Sequence, residues 1–167
     1  AAHLSGYISE IQPQELTKLN RAQTIPYKMG DSVGKSGLEA RWESTLRGID
    51  GEEYIEVDAL GRRKYTRTKS IASGLETKNA VPGKNLILTI DQDLQLAAQK
   101  AFTGKVGAVI AVNPQNGEIL AAVSQPSFDP TAFSRGISSE IWNKLISDYN
   151  HPLRDKTIQD HYSPGST

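Results

Sequence analysis

The chain has 167 residues, enough for one ordinary domain or two small ones with a buried core. Its 19 Lys and Arg cancel its 19 Asp and Glu, so no overall field draws it to nucleic acid or to an anionic membrane surface. Without cysteine it has no disulfide and no thiolate chemistry, and its longest apolar run, "VGAVIAV", is far short of the about 20 residues that cross a bilayer.

In chain order, "HLSGYISEI" (3–11) has mixed alternation and predicts a strand that enters a short helix, "PQELTKLN". "GKSGLEARWESTLRG" predicts one amphipathic helix. Ser36 and Glu39 have the spacing of a capping box, Leu38, Trp42 and Leu46 recur every four residues, and Gly48 supplies the stop. Trp42 reads as a core anchor, since such stripes face a core. From Asp50 the pattern turns to strands, with turn signals at Asp50-Gly51 and Leu60-Gly61. Arg62, Arg63, Lys64, Arg67 and Lys69 form a basic strip, read as a solvated strand face.

Polar "ETKNAVPGKN" (76–85) is the best linker, and "LILTID" (86–91) predicts a short buried strand. Asp91 is placed to cap a helix with Leu94, Ala97, Ala98 and Ala101 on its apolar face, closed by Gly104. "GAVIAVNPQNGEILAAVS" predicts two strands around a Pro-Gln-Asn-Gly turn, and the prolines of "QPSFDP" break the sheet. A last helix, "SSEIWNKLISDY", gathers Ile141, Trp142, Leu145, Ile146 and Tyr149 on one side.

Most reaction classes find no support. His3, His151 and His161 lack ligand spacing, so no metal site is expected, and "GDSVGKSG" lacks the spacer of a phosphate loop. Asp91 and Asp93 read as helix-start residues. The final "HYSPGST" is different. Pro164-Gly165 makes a sharp corner, and Ser166 follows where a helix could begin. Two readings stay open there: a helix cap, or a nucleophile at the positive end of a helix dipole. His161, five residues away across a proline corner, is not placed to act as its base. The residues alone thus give an α+β chain in two parts, with Ser166 unresolved.

Taken together and in order, "HLSGYISEI", "VGKSGLEARWESTLRG", "GEEYIEVDALGR", "PGKNLILTIDQDLQLAAQKA", "GAVIAVNPQNGEILAAVSQPSFDPTAF", "GISSEIWNKLISDYNHPL" and "YSPGST" resemble the class B penicillin-binding proteins. "EVDALGR" and "GISS…PL" favour the elongation type over the division type. The resemblance implies a non-catalytic pedestal over 1–83 and, over 84–167, the first part of a serine acyl-transferase domain of the β-lactamase-like fold.

It further implies that Ser166 is the nucleophile of a Ser-x-x-Lys motif, whose spacing puts the lysine amine on the serine's face of a helix. The substrates implied are peptidoglycan stem peptides, with β-lactams as inhibitors and no cofactor. The pedestal is expected to contact a rod-complex glycosyltransferase and a periplasmic scaffold protein, and could serve as an interaction module by itself. The location implied is the periplasm, with an inner-membrane anchor expected to be missing from these residues. The motif's lysine would fall two residues past Thr167, so the chain alone is expected to be inactive unless a companion chain carries the rest. Two departures touch the approach to the serine: Asp155-Lys156 stands where the family commonly has Asn-Arg, and Ser163 where it has proline.

Overall fold

Proline at the first helical position and Glu15 folding back on the Gln12 N–H (2.9 Å) start the helix over Pro13–Asn20 where the sequence predicts it. The computed structural model describes residues 2–21, 26–55, 57–63 and 77–163. Its chain divides into two units, one of Ala1–Glu43 with Leu86–Thr167 and one of Ser44–Asn85.

In the first unit a helical turn, α1 (Ala2–Ser5), precedes β1 (Ile8–Glu10) and then α2 (Pro13–Asn20). The start of "HLSGYISEI" is therefore helical and not extended: Gly6, at φ 79°, donates to the Ala2 carbonyl at 2.8 Å and closes that turn. A Cβ on Gly6 would sit 1.8 Å from the Ser36 carbonyl oxygen, so glycine is what lets the two backbones meet. β1 pairs antiparallel with β2 (Ser32–Gly34), with Ser9 opposite Val33. Beneath them Ile11, Tyr27 and Val33 form a small core, against which Leu16 and Leu19 pack. Asn20 fixes Tyr27 by bonding both its N–H (2.7 Å) and its C=O (3.1 Å).

The helix predicted from Ser36 to Gly48 is broken into α3 (Gly37–Arg41) and α4 (Glu43–Leu46). Trp42 leaves helical geometry at φ −112°, ψ 19°, and is 47% exposed, so it is not the core anchor that its stripe suggests. A tertiary demand explains the break. The Glu43 carboxylate accepts from the Gly34 N–H and the Tyr27 hydroxyl, both at 2.8 Å, and continuing the first helix would swing it away from them.

Further along, α5 (Gln92–Ala101) begins at Asp91, whose carboxylate accepts from the Leu94 N–H at 2.9 Å. The hairpin of β3 (Gly107–Val112) and β4 (Ile119–Gln125) is antiparallel, with Val109 opposite Val123 and a register shift between Ala111 and Val112. Asn113 and Gly117 close its turn, as the Pro-Gln-Asn-Gly signal predicts. After the prolines come α6 (Pro130–Ser134), capped by Asp129, and α7 (Ser139–Ser147), capped by Ser138. Rings of His3, Tyr7, Phe128, Phe133 and Trp142 meet edge to face or tilted, joining α1 and β1 to α6 and α7.

Two expectations about this unit are corrected. "LILTID" is not a buried strand: Ile87 is 99% exposed, and the segment bonds β4 through Thr89 Oγ1 on the Ile119 carbonyl and the Asp91 N–H on that of Leu120, without a ladder. The buried residue of α5 is Gln95, while Leu94 stays 38% exposed. The Gln95 carboxamide donates to the Ala122 C=O (2.9 Å) and accepts from its N–H (2.8 Å), standing in for a missing strand neighbour on the edge of β4.

Among the described residues of the second unit the expected strands appear as isolated bridges, Ile49 with Val81, Glu52 with Lys78 and Val57 with Arg63. The stretch read as a linker is thus the returning half of an antiparallel pair, reinforced by the Lys78–Glu52 ion pair at 2.9 Å. Arg62 and Arg63 are exposed, and Arg62 pairs with Asp58 at 2.8 Å. Lys64, Arg67 and Lys69 lie outside the described residues.

Candidate active site

The open end of the hairpin, where Gly107 faces Gln125 and Ala108 faces Ser124, carries the segment that leads toward Ser166. Ser166 itself, with Pro164, Gly165 and Thr167, lies outside the described residues. The geometry on hand is that of residues 151–163.

That segment is a series of turns held by its own side chains. His151 takes φ 48°, and its N–H bonds the Asp148 carbonyl at 2.9 Å. Asp155 Oδ1 accepts from the Thr157 N–H (3.0 Å) and hydroxyl (2.6 Å), an Asx turn. The Asp155 N–H donates to Gln159 Oε1 at 2.8 Å, and the Gln159 N–H to the Asp155 carbonyl at 2.9 Å.

The attachment to the sheet runs through Ser124, which is only 6% exposed. Its hydroxyl accepts from the Lys156 N–H at 3.1 Å and donates to the Arg154 carbonyl at 3.3 Å. Lys156 is itself buried at 5%, with Nζ donating to the His151 carbonyl at 3.0 Å. Burial pushes its ammonium pKa down, against the opposing pull of the Asp160, Asp148 and Asp155 carboxylates.

Farther along, Arg154 Nη2 donates to the Gln159 carbonyl at 2.8 Å, and Nε lies 2.5 Å from Asp160 Oδ1. Tyr162 Oη donates to Asp160 Oδ2 at 3.2 Å, and partial desolvation together with that bond raises the phenol's pKa. The same Oη is 4.0 Å from where a Cβ on Gly107 would stand. From the other side, His3 Nε2 donates to the carbonyl of buried Pro152 at 2.8 Å.

Of the residues that the sequence singles out, Asp91 caps α5 as expected, and His151 and His161 are exposed. Among the described residues no group of His, Asp and Glu could hold a metal ion. Ser124, Arg154, Asp160 and Gln95 are the residues that sequence reasoning passes over. Only the Asp155-x-Thr157 spacing carries a local signal of the turn, because the other partners are brought together by tertiary structure.

The family profile for the penicillin-binding protein dimerisation domain matches residues 1–88, and that for the penicillin-binding protein transpeptidase domain matches residues 107–167. The chain belongs to the penicillin-binding proteins. It is 35% identical, over 166 residues, to the peptidoglycan D,D-transpeptidase MrdA of Acinetobacter baumannii, an alignment that covers 99% of this chain and 23% of that protein. The chain thus spans about a quarter of the length of the curated relatives it matches.

Among solved structures it is similar to Pseudomonas aeruginosa PBP2 in complex with WCK 5153, at 33% identity and TM-score 0.67 over 95% of this chain and 29% of that one. It is also similar to Helicobacter pylori PBP2 in its complex with MreC, at 31% identity and TM-score 0.65 over 93% of this chain and 26% of that one. Family and fold therefore agree with the likeness carried by the sequence motifs: a mixed helix and strand chain with a dimerisation domain followed by the start of a transpeptidase domain.

Proposed function

We propose that this chain is part of an elongation-type peptidoglycan D,D-transpeptidase, with residues 1–83 as the pedestal, residues 84–167 as the first part of the catalytic domain, and Ser166 as its nucleophile. The observation that carries the reading is the match of residues 107–167 to the transpeptidase domain; the terminal "PGST" supports the serine by its resemblance to the start of the family's Ser-x-x-Lys motif.

In this reading the Ser166 hydroxyl attacks the carbonyl of the penultimate D-Ala of a stem peptide, and its proton goes to the motif lysine. The tetrahedral oxyanion is held by backbone N–H groups and collapses to an ester as terminal D-Ala leaves with a proton. An amine of a second strand attacks the ester, returns the serine and closes the cross-link. A β-lactam follows the same first step, but its ring-opened acyl group stays on the serine.

The pedestal would meet a scaffold protein and a glycosyltransferase of the elongation machinery; in support of a scaffold partner, the Helicobacter pylori PBP2 to which the chain is similar is solved in complex with MreC. The setting would be the periplasm with an inner-membrane anchor; among the described residues no helix is long and apolar enough to cross a membrane. Release of D-Ala from a pentapeptide substrate by the natural full-length protein tests the activity. The wild type is expected to release it and Ser166→Ala to release none. Unchanged release by Ser166→Ala would overturn the assignment of the serine.

A further inference from the structure

Arg154, Asp160 and Tyr162 make a cluster that the acyl-transfer chemistry does not by itself call for. The Arg154 guanidinium donates from Nη2 to the Gln159 carbonyl at 2.8 Å, while its Nε forms an ion pair with Asp160 Oδ1 at 2.5 Å, an oxygen that is buried and has no hydrogen-bond partner among the described residues. The second oxygen of that carboxylate receives the Tyr162 hydroxyl at 3.2 Å. One end of the cluster is tied to the hairpin: the Arg154 carbonyl accepts from Ser124 Oγ at 3.3 Å, and the Tyr162 hydroxyl stands near Gly107 without a bond to it. Ser124 and Gly107 stand on facing strands, one register step apart, at the open end of the hairpin.

An isolated exposed ion pair would hold little, because water and salt screen it and two long side chains lose freedom. This pair differs in that the guanidinium fork also fixes a main-chain oxygen, which converts side-chain attraction into backbone direction. Asp160 is well covered, its side chain 20% exposed, while Arg154 is about half exposed at 47%. The last residue of the cluster is four positions before Ser166.

We propose that Arg154, Asp160 and Tyr162 act together as positioning residues that set the path of the chain into Ser166. The inference rests on the reading of Ser166 as the nucleophile. None of the three touches substrate; each acts through the backbone it fixes. Because displacement of a reacting group by about 1 Å can cost on the order of a hundredfold in rate, partial loosening of this path should cost about tenfold.

The test is the acylation of the natural full-length protein by a fluorescent penicillin, with the maximal acylation rate and the concentration at half-saturation measured separately. Arg154→Met and Asp160→Asn are each expected to lower the maximal rate about tenfold while half-saturation and the melting temperature hardly move. Arg154→Lys, which keeps the charge but not the fork, is expected to fall between wild type and Arg154→Met. Should Arg154→Met prove unstable, Tyr162→Phe removes a single hydroxyl and is expected to slow acylation by about threefold without loss of fold. Folded Arg154→Met and Asp160→Asn proteins that acylate at the wild-type rate would overturn the proposal, as would a wild-type rate in Tyr162→Phe. Failure of the underlying reading looks different, since the wild type itself would then carry no label at Ser166.

Discussion

Ser124 Oγ accepts the Lys156 N–H at 3.1 Å and donates to the Arg154 carbonyl at 3.3 Å, so one buried hydroxyl on β4 fastens the segment that leads to Ser166. Ser124→Ala leaves a buried N–H and a carbonyl without their partner. Each such loss costs about 1–3 kcal/mol, and water can rescue part of it, so a destabilisation of about 2 kcal/mol is expected. The denaturant midpoint of the purified protein checks it, and Ser124→Thr, which keeps a hydroxyl, should lose less.

A side chain that meets β4 from α5 behaves like backbone. Gln95 bonds both polar groups of Ala122 from α5, at 2.9 and 2.8 Å. Gln95→Leu keeps the volume but strips both partners, with an expected loss of about 2–4 kcal/mol. Gln95→Glu keeps the acceptor for the Ala122 N–H but turns a carboxylate on its carbonyl, and should lie near the upper end of that range. Hydrogen exchange at Ala122 gives a local readout: its amide should lose protection in Gln95→Leu and keep more of it in Gln95→Glu, which retains its acceptor.

Much of this was legible beforehand, and the parts that were not share a cause. α2, α5, α7 and the β3–β4 hairpin announce themselves through Pro13, Asp91, Ser138 and the Asn113 to Gly117 turn, all local chemistry. The break at Trp42 is different, because it is set by Glu43 reaching Tyr27 and Gly34, which no helical period encodes. Gln95 is buried in place of Leu94 because an open edge of β4 requires hydrogen bonds more than α5 requires another apolar contact. "LILTID" has strand composition but meets β4 through two hydrogen bonds instead of a ladder. At the candidate site the likeness of the terminal motif to the family's points to Ser166, whereas Ser124, Arg154 and Asp160 are far apart in sequence or unremarkable in type, and only the fold assembles them.

The pH dependence of stability should carry a signature of His3. Burial beside the Pro152 carbonyl lowers its pKa from the usual 6.5, outweighing that hydrogen bond and the nearby Asp155 carboxylate, while Lys156 adds to the depression. The unfolded chain therefore takes up a proton at higher pH than the folded one, and stability rises with pH between the two pKa values. The contribution is fully present above about 6.5 and is lost as pH falls through the lower, folded value. Melting temperatures of the wild type and His3→Gln, compared from about pH 7.5 down to pH 5, should converge as the pH drops. A difference that stays constant over that range would show that His3 does not titrate differently on folding.

The central claim is that Ser166 is the residue acylated, and peptide mass mapping after a penicillin is the most direct measurement of it. The natural full-length protein is incubated with the drug, digested, and the adduct located by fragmentation. The account predicts a single adduct of the drug's full mass, on the peptide containing "SPGST" and on Ser166 within it, absent from Ser166→Ala. An adduct on any other residue, or an unmodified Ser166 in folded protein under saturating drug, would contradict it.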